Sequence, residues 1–254
     1  MSTIIAVAGK GGTGKTTVSG LLIRYLLKNG KRPILAVDAD ADANLADALG
    51  LSADRSLSTI GKAREDFFQT KGAVPAGMPK EAYFELKLNE VLIESRDIDL
   101  LIMGRPEGVG CYCFINNILR KYLETLGKNY PYVVIDNEAG LEHLSRRTTD
   151  DVDHLLVVAD YSLNGLRAAA RIKHLAVEVK LKVKQLSVIV NNAPAEPSQQ
   201  FLRELAKLHI DVLGFIPEDG LVPHYDIEGK SLIDVPDSSP AAVAFELFAK
   251  RIFV

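Results

Sequence analysis

Nine consecutive residues, Gly9-Lys10-Gly11-Gly12-Thr13-Gly14-Lys15-Thr16-Thr17, limit what this chain can fold into more than any other stretch. They follow the apolar run Ile4-Ile5-Ala6-Val7-Ala8, which has strand character. They precede Thr17-Val18-Ser19-Gly20-Leu21-Leu22-Ile23-Arg24-Tyr25-Leu26-Leu27, which reads as a helix. A strand, a glycine-rich turn and a helix in succession open a β–α unit. Six further runs of strand length recur, with helical stretches between them: Pro33–Asp38, Asp99–Met103, Tyr132–Asp136, His154–Ala159, Leu186–Asn191 and Val212–Ile216. Most are short and continuously apolar, as in a parallel sheet buried on both faces. The expected fold is therefore α/β, a doubly wound, mostly parallel sheet flanked by helices. No internal repeat, low-complexity segment or linker divides the 254 residues, so 1–254 is read as a single domain.

The glycine stretch fits Gly-x4-Gly-Lys-[Ser/Thr], with Gly9, Gly14, Lys15 and Thr16 at the fixed positions, which narrows the fold to that of the P-loop NTPases. The chemistry needs these residue types. Glycines let backbone N–H groups turn inward around a phosphate. The helix N-terminus adds unpaired donors and partial positive charge. Lys15 reaches the β- and γ-phosphates, and Thr16 offers a hydroxyl to Mg²⁺. Strand, loop and helix together argue against a glycine turn that binds nothing. One residue exceeds the general pattern: Lys10, inside the loop, is a second lysine that an ordinary phosphate loop does not require.

Composition sets outer bounds. Hydrophobic residues make up 47% and charged residues 25%, as in a soluble globular protein, and the net charge of −3 gives no support to a nucleic-acid carrier. No apolar run approaches the roughly 20 residues that span a bilayer, and the chain enters a strand almost at once rather than a signal peptide. The expectation is a cytoplasmic protein that binds neither membrane nor nucleic acid. The last segment, Ala241 to Val254, is an apolar helix candidate read as core packing rather than as a membrane anchor.

In a doubly wound sheet, ligands gather at the carboxyl ends of the strands. After the second strand comes Asp38-Ala39-Asp40-Ala41-Asp42-Ala43-Asn44. This is either an acidic turn capping a helix that starts near Asn44, or a set of carboxylates that hold Mg²⁺ through water and orient an attacking water. The fourth strand ends in Asp136, the Walker-B placement for Mg²⁺, followed by Gly140, a flexible point able to sense a γ-phosphate. His143 is read as structural or exposed rather than as a metal ligand. The sixth strand ends in Asn191-Asn192 and the seventh in Pro217-Glu218, either ordinary loops or an adenine pocket. Ser52 to Gly77 is the least regular stretch, expected to be a partly helical, mobile insertion. Lys80–Glu94 and roughly Ile115–Leu126 look helical.

Both cysteines of the chain, Cys111 and Cys113, lie one residue apart after the third strand. A disulfide between residues so close is strained, and a reducing cytoplasm disfavours it. Two buried thiols are one reading. The other is a metal site: in an extended segment residues i and i+2 point the same way, so two thiolates grip one ion. Zinc usually takes four ligands, as does square-planar nickel. Histidines complete the set, or a second copy of the chain does by presenting the same pair across a two-fold axis.

Lys10, Asp38-x-Asp40 and Asp136 together bring a family into view. Gly9-Lys10-Gly11-Gly12-Thr13-Gly14-Lys15-Thr16 resembles the deviant Walker A of the MinD/ParA/nitrogenase-iron-protein class of dimeric ATPases. The resemblance implies ATP/ADP and Mg²⁺ as ligands and a nucleotide-dependent homodimer in which Lys10 crosses to the partner's nucleotide. It implies that Asp40 positions the attacking water, that Asp38 and Asp136 stand near Mg²⁺, and that Asn191, Pro217 and Glu218 contact adenine. Met103-Gly104-Arg105-Pro106-Glu107-Gly108 through Cys111-Tyr112-Cys113, with Asn116-Asn117 and Asp136-Asn137-Glu138-Ala139-Gly140-Leu141-Glu142-His143-Leu144, is similar to the CooC type of accessory ATPase. These mature the nickel enzymes carbon monoxide dehydrogenase and acetyl-CoA synthase. That resemblance covers essentially the whole chain and implies Ni(II) or Zn(II) bound by Cys111 and Cys113 across the dimer, with a nickel enzyme as client. The alternative is a positioning or partitioning ATPase acting on membrane or DNA, in which the cysteines are incidental.

Overall fold

In the computed structural model, residues 2–40, 42–51, 59–69, 74–75, 77–104, 121–139 and 151–253 are described. Seven strands carry the fold: β1 (Thr3–Gly9), β2 (Ile34–Ala39), β3 (Ile98–Ile102), β4 (Tyr132–Asn137), β5 (Asp151–Asp160), β6 (Lys182–Ala193) and β7 (Val212–Pro217). They form one sheet in the order β3-β2-β4-β1-β5-β6-β7. Every pairing between these strands is parallel. The helices are α1 (Lys15–Lys28), α2 (Leu45–Ala48), α3 (Ile60–Gln69), α4 (Lys80–Glu90), α5 (Leu163–Glu178), α6 (Gln199–Lys207), α7 (Leu221–Ile227) and α8 (Pro240–Ala249). Residues 121–127 are also helical.

Alternation along the strands divides the core in two. Ile5 and Val7 of β1 pack with α1, α2 and α8, through Leu22, Leu26, Leu45 and Phe245. Ala6 and Ala8 face the other layer, with Phe67 of α3, Phe84 of α4, Leu166 of α5 and Phe201 of α6. Two apolar faces, each covered by helices, explain why the strands read as continuous apolar runs. The expected doubly wound sheet is thus the observed one, with β1 and its loop near its middle.

Two regions differ from expectation. The irregular stretch contains α3, whose Ile60, Ala63 and Phe67 are buried, and Thr59 bridges to Ile102 of β3. The stretch is thus partly helical as expected, but one face of its helix is packed into the core; residues 52–58, 70–73 and 76 lie outside the described residues. Strands β5 and β6 both start earlier than their apolar runs, because Asp151 pairs with Lys182 and Val152 with Val183 at the sheet end, where polar neighbours interrupt the apolar pattern. The final helix, Pro240–Ala249, packs as expected, burying Ala241, Ala242, Phe245, Phe248 and Ala249.

One contact fixes the helix that follows the loop. Arg24, buried on α1, donates from Nε and Nη2 to the Val235 carbonyl at 3.0 and 2.7 Å. It also pairs with Asp237, which Lys28 meets as well.

Candidate nucleotide site

The loop between β1 and α1 is built on its own hydrogen bonds. Thr13 N–H and Thr13 Oγ1 both donate to the Lys10 carbonyl, at 3.3 and 2.9 Å, closing a four-residue turn with Gly11 and Gly12 at its centre. Gly14 has φ +87°, and a Cβ there would stand 2.2 Å from Asn191 Nδ2. Only glycine fits that position, for conformation and for space. At Gly11, by contrast, a Cβ would meet no described atom within 4 Å. Nothing described in the folded chain itself requires a glycine there. Lys10, Gly11 and Gly12 are exposed, and the Lys10 ammonium has no partner among the described residues.

Lys15 is buried at the start of α1, and Thr16 follows it. Thr16 Oγ1 donates to Asp136 Oδ2 at 2.7 Å, and Ser19 Oγ, one turn further along α1, donates to Asp136 Oδ1 at 3.1 Å. Asp136 is 1% exposed. Burial pushes its carboxyl up to about 6, against the two hydroxyl hydrogen bonds and the charge of Lys15, which lower it. A carboxylate desolvated this strongly beside a threonine hydroxyl fits a divalent cation, whose charge would restore its ionised form. Asn137, next in β4, donates from Nδ2 to the Val7 carbonyl at 2.9 Å and ties the two strand ends together. Ser19 escapes a motif reading, yet its three-residue spacing from Thr16 places it on the same helix face.

Asp38 lies beside Asp136 in the parallel register of β2 and β4 and is fully buried. Its Oδ1 accepts the Asp40 amide at 3.0 Å and its Oδ2 the Leu45 amide at 2.8 Å. The carboxylate thus organises the turn into α2. Burial raises its pKa to about 7; the two amide bonds oppose this, and the charges of Asp136 and Asp40 add to it. Asp40 is half-buried and uses Oδ1 to accept the Asp42 amide at 3.1 Å.

A cleft of about 970 Å³ runs from the loop across the carboxyl ends of β6 and β7. Gly12, Gly14, Thr16 and Thr17 of the loop and α1 line it, together with Asn191, Pro217 and Glu218 and with Val222 and Ile227 of α7. Asn191, Pro217 and Glu218 are therefore brought together with the loop, though far apart in sequence. Asn191 also carries a contact that sequence does not announce: its Nδ2 donates to the Thr13 carbonyl at 3.0 Å. Cys111, Cys113, Gly140 and His143 lie outside the described residues. Among the described residues no cluster of three or more His, Cys, Asp or Glu side chains is placed to hold a metal, and no helix is long and apolar enough to cross a membrane.

A model of the CobQ/CobB/MinD/ParA nucleotide binding domain matches residues 4–233. The chain belongs to this family. It is 43% identical over 251 residues to an ATP-binding protein of Methanocaldococcus jannaschii, covering 98% of both chains. It is 34% identical over 248 residues to the carbon monoxide dehydrogenase accessory protein CooC of Rhodospirillum rubrum, covering 93% of this chain and 90% of that one. The MinD cell division protein of Aquifex aeolicus superposes with a TM-score of 0.70 at 24% identity, covering 99% of this chain and 96% of that one. A ParA family ATPase from Chlorobium tepidum gives 0.74 at 17%, covering 98% and 99%. These two share the fold of this chain. The phosphate loop, Thr16, Asp136 and Asn191 all lie within the residues that this family model matches.

Proposed function

We propose that this family member is an Mg²⁺-dependent ATPase that works as a homodimer and helps insert nickel into carbon monoxide dehydrogenase or acetyl-CoA synthase. The contact of Thr16 and Ser19 with the buried Asp136 carries the ATPase part of the reading. Thr16 and Asp136 would hold Mg²⁺, which would supply positive charge against the β- and γ-phosphates. Lys15 supplies a second positive charge from the start of α1. Asp40, half-buried at the exit of β2, orients the attacking water. Asp38 holds the backbone at Asp40 and again at Leu45 by accepting from both amides, and so sets where Asp40 stands.

Lys10 supports the dimer. It is exposed at the head of a closed turn, with no described partner in its own chain, beside a Gly11 that nothing described in the chain requires. In this reading Lys10 from each copy reaches the other's phosphates, and closure brings Cys111 and Cys113 of both copies around one Ni(II) or Zn(II). Nickel is the cargo. Removal of the γ-phosphate loosens the segments that follow Asp38 and Asp136, and delivery requires that the two nucleotide states differ in metal affinity. Similarity to a carbon monoxide dehydrogenase accessory protein at 34% identity and the Cys111-x-Cys113 pair support this client class.

Nickel and zinc titrations of the purified chain, with and without a non-hydrolysable ATP analogue, test it. One metal per dimer, lost in Cys111→Ser and in Cys113→Ser, is expected. No binding above background would remove the delivery role and leave the ATPase alone.

A further inference from the structure

Thr13 and Asn191 sit at positions that face a nucleotide in a motif reading, yet their polar atoms are turned elsewhere. Thr13 is 2% exposed and Asn191 4%. The Asn191 amide nitrogen is held on the Thr13 carbonyl at 3.0 Å. Thr13 in turn places its hydroxyl on the Lys10 carbonyl at 2.9 Å and its N–H on the same oxygen at 3.3 Å. These bonds run in series from the end of β6 to the head of the loop. Gly14, with no side chain, lets Asn191 approach, since a Cβ would lie 2.2 Å from the amide nitrogen.

We infer that Asn191 and Thr13 are positioning residues for Lys10, acting through the loop backbone rather than on the nucleotide's phosphates. The inference rests on the trans role proposed for Lys10 and adds what sets that lysine's direction. A turn with two glycines at its centre has little intrinsic preference for one geometry. The backbone N–H bond alone closes it loosely at 3.3 Å. The hydroxyl bond supplies a second, shorter closure to the same oxygen, and Asn191 anchors the opposite side of Thr13 to the sheet. Lys10 therefore leaves the turn from a carbonyl with two bonds on it, and its ammonium is carried outward from a fixed base. Asn191 also lines the cleft beside Pro217, with its Oδ1 outside this series of bonds. The same side chain thus connects the base end of the cleft to the lysine that meets a second copy.

Thr13→Val keeps the shape and removes the hydroxyl; Thr13→Ser restores it. Asn191→Asp keeps an acceptor and replaces the donor, leaving the Thr13 carbonyl facing an oxygen. Steady-state ATP hydrolysis, ADP binding by calorimetry and ATP-dependent dimerisation by light scattering are measured on the full chain. For Thr13→Val, kcat should fall about tenfold, the effect of one lost hydrogen bond, with ADP affinity held within about threefold. Thr13→Ser should recover most of the loss. Thr13→Val and Asn191→Asp combined should cost no more than the larger single effect, because both break one series. Weakening of ADP binding in step with kcat would place Thr13 on the nucleotide and overturn the inference. So would wild-type turnover in Thr13→Val, or additive effects in the double variant. Lys10→Ala separates the two levels: if it hydrolyses ATP like the wild type, the trans role fails on its own, whatever Thr13 does.

Discussion

The two buried carboxylates at the exits of β2 and β4 predict how stability depends on pH without nucleotide. Asp38 is fully buried, and its carboxyl is pushed from an ordinary 3.8 to about 7, chiefly by burial. In the unfolded chain it ionises near 3.8, while the folded chain holds its proton to about 7. Between those values the unfolded state binds fewer protons, so rising pH removes stability. The contribution is complete below about pH 4 and lost above about pH 7, and it corresponds to about 4 kcal/mol. Asp136, raised to about 6, acts with the same sign, and other groups act with the opposite one. Asp153 and Asp219 are held below the ordinary value, against the push of burial, by the hydrogen bonds they accept. The slope is therefore read as a difference between the wild type and Asp38→Asn. The asparagine opposes one of the two amides with its own N–H₂, a pH-independent cost of about 1–3 kcal/mol. The chain has no tryptophan, so urea unfolding followed by far-UV circular dichroism is the suitable assay. From about pH 4 to about pH 8 the wild type should lose about 4 kcal/mol relative to Asp38→Asn. Parallel stability curves would show that Asp38 is ionised in the folded chain at all these pH values and would refute the reasoning.

Lys10→Ala should bind ADP normally but lose turnover by about a hundredfold or more, together with ATP-driven dimerisation; calorimetry and light scattering read the two effects separately. Asp40→Ala should bind ATP and dimerise but hydrolyse about a hundredfold more slowly or worse, and rapid single-turnover hydrolysis would refute its role. At Gly214 in β7 a Cβ would stand 2.1 Å from the ring of Phe248 on α8. Gly214→Ala should therefore lower unfolding free energy by about 1–3 kcal/mol, measurable by urea denaturation, with ADP affinity unchanged.

The sheet was legible because its strands are buried on both faces, so that runs such as Val133-Val134-Ile135 need no alternation to declare themselves. Helix α3 was harder to see. Ile60, Ala63 and Phe67 have helical spacing, but charged residues and Gly61 dilute it, and its support comes from distant Phe84 and Ile102. At the site, Asp136 and Thr16 were legible because their chemistry requires those types at those places. Ser19 and the inward hydroxyl of Thr13 were not. Their partners are 117 residues away in one case and a backbone carbonyl in the other. The place of Asn191 at a strand end is visible in the sequence, but its bond to Thr13 depends on the loop and β6 meeting across the sheet.

The anchorage of Arg24 gives α1 a mechanical character. A buried guanidinium bonded twice to one carbonyl and paired with Asp237 ties the C-terminal half of the helix to residues 235–237, and the exposed Lys28 meets the same aspartate. The opposite end of the helix is held as well, by Thr16 and Ser19 on Asp136, so α1 is fastened at both ends. Helix α1 is thereby a fixed reference against which the loop and the neighbouring strand ends are set. Those are the segments that carry Lys10 on one side and Asp40 on the other.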